Sequence, residues 1–137
     1  MDLYCTFRLD DLYLGVEVTR VQEVLRQQPL TRVPLAADDV RGLINLRGDI
    51  VTAIDLRRRL KLSPREEQET MNIVLRDEDG GVFALVVDAV GDVTEVSTAS
   101  FEVTPATLDE RVRRLVRGVY KLKQGLMLVL DTSALDA

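Results

Sequence analysis

Apolar and polar residues alternate in short runs along most of this chain, and turn-forming residues interrupt the runs at close intervals. Leu3-Tyr4-Cys5-Thr6-Phe7-Arg8-Leu9 alternates in part, Asp10-Asp11 reads as a turn, and Tyr13-Leu14-Gly15-Val16-Glu17-Val18 runs back, which predicts a hairpin. Further strands are predicted at residues 42–47, 49–54, 71–76, 82–87, 92–97, 116–122 and 126–130. About nine short strands with turn signals between them point to an all-β barrel or sandwich. Helical spacing is confined to three pieces, around residues 19–24, 55–60 and 108–115.

The second of these opens on Asp55, a capping residue, and places Leu56 and Leu60 one turn apart, so one edge should be buried beneath a basic outer face. Its Arg57-Arg58-Arg59 run reads as a solvated face or as an anion patch. Three consecutive helical residues point in different directions, which favours the first reading. In residues 19–26, apolar positions 18, 21, 24 and 25 are expected to face the core and leave Glu23 and Arg26 outside. Residues 63–70 are polar and contain Pro64, which reads as the boundary between two halves.

The halves resemble each other. Val40-Arg41-Gly42-Leu43-Ile44-Asn45-Leu46-Arg47 aligns with Val116-Arg117-Gly118-Val119-Tyr120-Lys121-Leu122-Lys123 at an offset of 76, which also carries Ile54-Asp55 onto Leu130-Asp131. Val18, Val21, Glu23 and Val24 fall on Val87, Val90, Asp92 and Val93 at an offset of 69. Two blocks in the same order on both sides of the polar stretch indicate a duplicated unit. Each would be a small curved sheet with a thin core, better buried when two pack together. Gly42 and Gly118 mark equivalent places where a side chain would block a bend or a close approach. Arg47-Gly48-Asp49 reads as a tight hairpin turn in which Gly48 supplies a positive φ.

Composition narrows the chemistry. The chain has 137 residues, one Cys, no His and no Trp. A chain of this size buries about two-thirds of its unfolded surface. Without His it cannot build a Ser/His/Asp or Cys/His pair or a His-ligated metal, and one Cys cannot form an internal disulfide. The thiol count fits a reducing, cytoplasmic setting. A net charge of −5 with six aromatic residues argues against nucleic-acid binding. No apolar run is long enough for direct membrane insertion. Acidic pairs at Asp10-Asp11, Asp38-Asp39 and Glu66-Glu67 lie in predicted turns or the polar stretch and read as solvated; no nucleotide-cradling motif occurs. Neither an enzyme nor a metal or cofactor site is expected. Asn45 and Arg47, beside a hairpin tip, read equally as turn chemistry with a surface ion pair or as partner-facing groups.

The block Gly42-Leu43-Ile44-Asn45-Leu46-Arg47-Gly48-Asp49-Ile50-Val51, followed by Ile54-Asp55-Leu56-Arg57-Arg58-Arg59-Leu60, strongly resembles the signature of the CheW family, the coupling proteins of bacterial chemosensory arrays. Val21-x-Glu23-Val24, Thr31-x-Val33-Pro34, Leu85-Val86-Val87-Asp88-x-Val90, Gly118 and Leu130-Asp131 extend the resemblance over essentially the whole chain. It implies a mainly β fold: two intertwined five-stranded SH3-like barrels sharing a core, with few short helices. The single domain, residues 1–137, would hold barrel subdomains of roughly 15–65 and 70–130 with strand exchange at the termini. It also implies a non-catalytic, cytoplasmic adaptor whose partners are the regulatory domain of a CheA-type histidine kinase and the cytoplasmic tip of methyl-accepting chemoreceptors. Carried over by motif, Glu23, Gly42, Arg47 and Gly48 would face the receptor in a groove between barrels. Cys5, Val18 and Val21 would stand where the family has exposed aliphatic residues facing the kinase. Ala53, where the family usually has Pro nearby, and Leu14-Gly15-Val16 depart from the pattern. The alternative is a regulator that binds the kinase only, in a divergent system.

Overall fold

The computed structural model describes residues 1–65 and 69–135. Ten strands dominate: β1 (Asp2–Leu9), β2 (Leu12–Glu17), β3 (Val21–Arg26), β4 (Val40–Leu46), β5 (Asp49–Asp55), β6 (Met71–Arg76), β7 (Val82–Val87), β8 (Ala89–Val96), β9 (Val116–Leu122) and β10 (Gly125–Leu130). Two single-turn helices, α1 (Leu56–Arg59) and α2 (Glu110–Arg113), and three short 3-10 turns complete the described elements. The strands form two five-stranded sheets, ordered β8-β1-β2-β10-β9 and β3-β6-β7-β5-β4. The mainly β architecture and the scarcity of helix follow the alternating pattern of the sequence.

One predicted helix is a strand. Residues 19–24 enter a 3-10 turn, Val18–Arg20, and then extend as β3 along β6. The Val-x-x-Val spacing imitates a helical period because the β3 ladder shifts register between Val21 and Glu23, the signature of a bulge. The expected facing fails at two positions as a result: Glu23 is half-buried and Val24 exposed, whereas Val21 and Leu25 are half-buried and Arg26 is exposed as expected.

The chain divides into two compact units, Met1–Arg20 with Val90–Ala137, and Val21–Ala89. The sequence repeat runs β1 to β5 and then β6 to β10, yet each sheet takes its first hairpin from one repeat and three strands from the other. The chain therefore passes from one unit to the other at residues 20–21, where the 3-10 turn meets β3, and at residues 89–90, at the start of β8. The polar stretch 63–70 does not divide them: it joins α1 to β6 within Val21–Ala89. Glu66 and Glu67 lie outside the described residues.

The repeat is visible in the hydrogen bonding. In the unit Val21–Ala89, Val40 pairs with Ile54 and Gly42 with Ala53, which leaves a bulge at Arg41. In the other unit, Val116 pairs with Leu130 and Gly118 with Val129, at the same offset of 76. Both hairpins are followed by the same bond, Asp55 N–H to the Asp39 carbonyl and Asp131 N–H to the Leu115 carbonyl, each 2.7 Å. Both sheets also close on themselves. Thr31, five residues beyond β3, exchanges two backbone hydrogen bonds with Leu43 of β4 at 2.9 and 2.8 Å. Glu102, six beyond β8, does the same with Val119 of β9, both at 2.9 Å. The two outer strands of each sheet are thus brought round toward one another, as in a small barrel.

Glycine permits these closures. A side chain at Gly42, whose φ is +154°, would meet the Thr31 carbonyl oxygen at 2.6 Å. A side chain at Gly118 would enter the Phe101 ring. Ile44, Leu46, Val51, Ala53, Val74, Ala84 and Val86 form the core of the unit Val21–Ala89. Tyr4, Val96, Tyr120, Met127 and Val129 form the corresponding core in the other, where the Tyr4 and Tyr120 rings lie 5.5 Å apart.

Candidate partner-binding site

The β4–β5 hairpin turns on two residues, Arg47 and Gly48, both with positive φ (52° and 93°). That is the geometry of a tight turn matched to strand twist. Gly48 adopts it without strain; Arg47 adopts it because Asn45 secures the turn, its side-chain oxygen accepting the Gly48 N–H at 3.0 Å. Asn45 therefore performs turn chemistry.

Arg47 reaches back to Glu23 on β3. Its two terminal nitrogens donate to the two carboxylate oxygens, Nη1 to Oε1 at 3.3 Å and Nη2 to Oε2. β3 and β4 are the opposite outer strands of their sheet, so closure of the sheet is what brings the pair together. The hydrogen bond from Arg47 holds the Glu23 carboxyl below its ordinary value, and Glu23 in turn raises the Arg47 guanidinium. The Arg47 side chain is 70% exposed against 21% for Glu23, so the pair presents chiefly its guanidinium. Ile50, next to the turn, is 64% exposed, and beside it Gln22, Leu46, Val51 and Val82 help to line a recess of about 320 Å³. A fixed cation and an apolar side chain at the hairpin tip, with a carboxylate beside them on β3, suit recognition of another protein.

Glu23, Arg47 and Gly48 are thus gathered by the fold. Gly42 is buried at the far end of β4, where its missing side chain admits Thr31. The three positions expected to face the kinase are not gathered on one unit: Cys5 and Val18 belong to the first segment, Met1–Arg20, and Val21 to Val21–Ala89. Val18 and Val21 are half-buried. Cys5 is not the exposed aliphatic position that the resemblance implies. It is 5% exposed on β1, which has β8 and β2 on either side, and burial raises its thiol pKa. Ile50 was not singled out by sequence reasoning; an apolar residue two places after the turn, adjacent to buried Val51, is the signal that could have found it.

The arginine run also differs from a solvated face. Arg57 is 8% exposed and donates from Nε to Asp88 at 3.2 Å and from Nη1 to the Ser63 carbonyl at 2.5 Å. Asp88 also accepts from Arg65 at 2.6 Å. Arg59 donates to Asp39 at 2.8 Å, so Asp39 is a paired acid and not a solvated one. Asp55 caps α1, accepting the Arg58 N–H at 3.3 Å. The three side chains diverge, as their helical spacing requires, but each meets a carboxylate: Arg57 and Arg59 by hydrogen bonds to Asp88 and Asp39, and Arg58 at 3.6 Å from Asp55. Among the described residues no group of three or more His, Cys, Asp or Glu could hold a metal ion, and no helix is long and apolar enough to cross a membrane.

Several known proteins are similar to this chain over most of its length. The chain is 32% identical over 124 residues to the chemotaxis protein CheW of Rhizobium meliloti, covering 90% of this chain and 79% of that protein. It is 29% identical over 129 residues to a probable chemotaxis protein CheW of Rhizobium etli, covering 94% and 83%. The crystal structure of the scaffolding protein TtCheW from Thermoanaerobacter tengcongensis superposes with a TM-score of 0.85 at 27% identity, covering 95% of this chain and 88% of that one. The family model for the CheW-like domain matches residues 3–137, and the chain belongs to that family.

Proposed function

We propose that this chain is a non-catalytic adaptor that joins chemoreceptor cytoplasmic tips to a CheA-type histidine kinase, and that the hairpin tip bearing Arg47 faces the receptor. As a CheW-family chain it is a chemotaxis coupling protein. The observation that carries the site is the Arg47–Glu23 pair: a mostly exposed guanidinium fixed in direction by a less exposed carboxylate. A guanidinium so held loses little side-chain freedom on binding and offers its remaining N–H donors to a partner. An apolar stripe on a helical receptor tip would lie against Ile50 while Arg47 and Glu23 fix its register by charge-assisted hydrogen bonds. The kinase regulatory domain would engage a different surface, so that receptor state shifts kinase activity through the assembly. With no His in the chain, a phospho-accepting His must lie on a partner.

Binding to a purified CheA regulatory domain and to a receptor-tip fragment, measured separately, tests this reading. Both should bind, and Arg47→Glu should lose the receptor fragment while keeping the kinase. Kinase binding without receptor binding by the unaltered chain would instead identify a kinase-only regulator.

A further inference from the structure

One leucine stands where neither its backbone nor its side chain gains anything within the chain. Leu35 is the third residue of the turn at residues 33–36, which is closed by the Ala36 N–H donating to the Val33 carbonyl at 3.3 Å. Its φ is +62°. A turn with Pro in second place, here Pro34, and a left-handed third residue is one that Gly or Asn ordinarily completes, because a Cβ is sterically penalised in that conformation. The other described non-glycine residues with positive φ, Asp10, Arg47 and Lys61, are all polar. Leu35 is also the most exposed of the large apolar residues described, at 105% relative exposure, so its side chain recovers no burial in return. The turn itself is firmly held. Before it, Thr31 is bonded twice to Leu43; after it, the Val40 N–H donates to the Ala37 carbonyl at 3.0 Å and the Asp39 carboxylate accepts from Arg59 at 2.8 Å. A strained, fully exposed apolar side chain on a rigid turn is a preorganised anchor.

The place of the turn in the fold selects the partner. Leu35 lines one recess with Val40 and Arg41, at the start of β4, whereas Arg47 and Ile50 lie past the end of that strand, roughly 20 Å further on at about 3.3 Å per residue. A receptor tip seated across the hairpin therefore leaves Leu35 open. An adaptor has to hold two proteins at once, yet of the positions expected to face the kinase Cys5 is buried and Val18 and Val21 are half-buried. Val33, 38% exposed in the same turn, widens the apolar surface around Leu35. We propose that Leu35 is the anchor for the regulatory domain of the CheA-type kinase, entering an apolar pocket on that domain while Val33 packs at the pocket's rim. This rests on the adaptor reading above and goes beyond it in naming the surface and the residue. A leucine presented already in its bound conformation loses little freedom on docking, and the apolar surface it withdraws from water supplies the affinity.

The test is calorimetric titration of the full chain with the purified regulatory domain of its own organism's CheA-type kinase and, separately, with a receptor-tip fragment. Leu35→Asn suits the turn better than leucine does, so this variant should unfold at an equal or higher urea concentration. Its affinity for the kinase domain should fall about tenfold to a hundredfold, the range expected when one buried leucine is lost from an interface, while receptor binding stays within about twofold. Leu35→Met keeps the apolar volume and should bind the kinase domain within about threefold of the unaltered chain. Unchanged kinase binding by Leu35→Asn overturns the anchor and leaves the adaptor reading standing, whereas failure of the unaltered chain to bind the kinase domain overturns both. If Leu35→Asn instead breaks self-association and keeps the kinase, the occupant is a second copy of this chain and the proposal falls. Unfolding of Leu35→Asn at lower urea would give the leucine a structural role and overturns it as well.

Discussion

Arg47 and Glu23, 24 positions apart, form a two-point ion pair between the β4–β5 turn and the opposite outer strand of the same sheet. The pair exists only if the sheet has closed, so it reports the fold as well as the recognition surface. Its first consequence is electrostatic. Glu23 is held below its ordinary pKa of 4.5, so the stabilisation from this carboxylate is present above that value and is lost as pH falls through the depressed folded pKa. A carboxyl-carbon NMR titration should give a Glu23 midpoint below 4.5, returning toward it in Arg47→Gln. An ordinary midpoint in the unaltered chain would show that the pair does not persist in solution.

Gly42 and Gly48 should fail differently when replaced by Ala. No atom outside the chain neighbours lies within 4 Å of a side chain built at Gly48, so Gly48→Ala costs only the left-handed backbone, about 1 kcal/mol. Gly42→Ala adds a collision with the Thr31 carbonyl and disrupts sheet closure, so it should cost about 2–3 kcal/mol or more. Urea denaturation of both variants measures the difference; equal costs would mean that Thr31 yields without penalty.

The buried pair of Arg57 and Asp88 should dominate the polar contribution around α1. Both side chains are about nine-tenths buried; removing Asp88 takes away the carboxylate that faces the Arg57 guanidinium, whereas removing Arg57 leaves Asp88 with Arg65. Asp88→Asn should destabilise by about 3 kcal/mol, and the double variant Arg57→Met/Asp88→Asn by less than the sum of the two single changes. Additive losses in denaturation midpoints would show that the two residues do not act as a pair.

Cys5 offers a solvent-access test. Buried on β1 with a raised pKa, its thiol should react with a disulfide reagent slowly, at a rate that rises with denaturant in step with unfolding. Rapid modification of the native chain would restore it as a surface position.

Much of the fold was legible. The strands at residues 71–76, 82–87 and 116–122 coincide with the runs that predicted them, and the offset of 76 predicted equivalent hairpins that share even their bulge. β3 was hidden because a bulge spaces its valines like a helical turn. The exchange of hairpins between repeats was not readable from residues alone, since local patterns specify strands and turns but not which sheet a strand joins. The same limit applies to the site. The Arg47-Gly48 turn could be read locally, whereas the partner of Arg47 depends on closure and that of Arg57 lies 31 residues away. The assignment of Arg57 to a solvated face failed for that reason.

The most direct test of the adaptor site is a charge reversal across the ion pair, with receptor-tip binding and stability measured together. Arg47→Glu alone should abolish receptor binding and weaken the hairpin. The exchange Glu23→Arg with Arg47→Glu should restore the ion pair and the stability but not receptor binding, because the exposed group would then carry the wrong charge. Recovery of receptor binding by the exchanged pair, or undiminished binding by Arg47→Glu, would contradict a recognition role for Arg47 and leave the pair with a purely structural one.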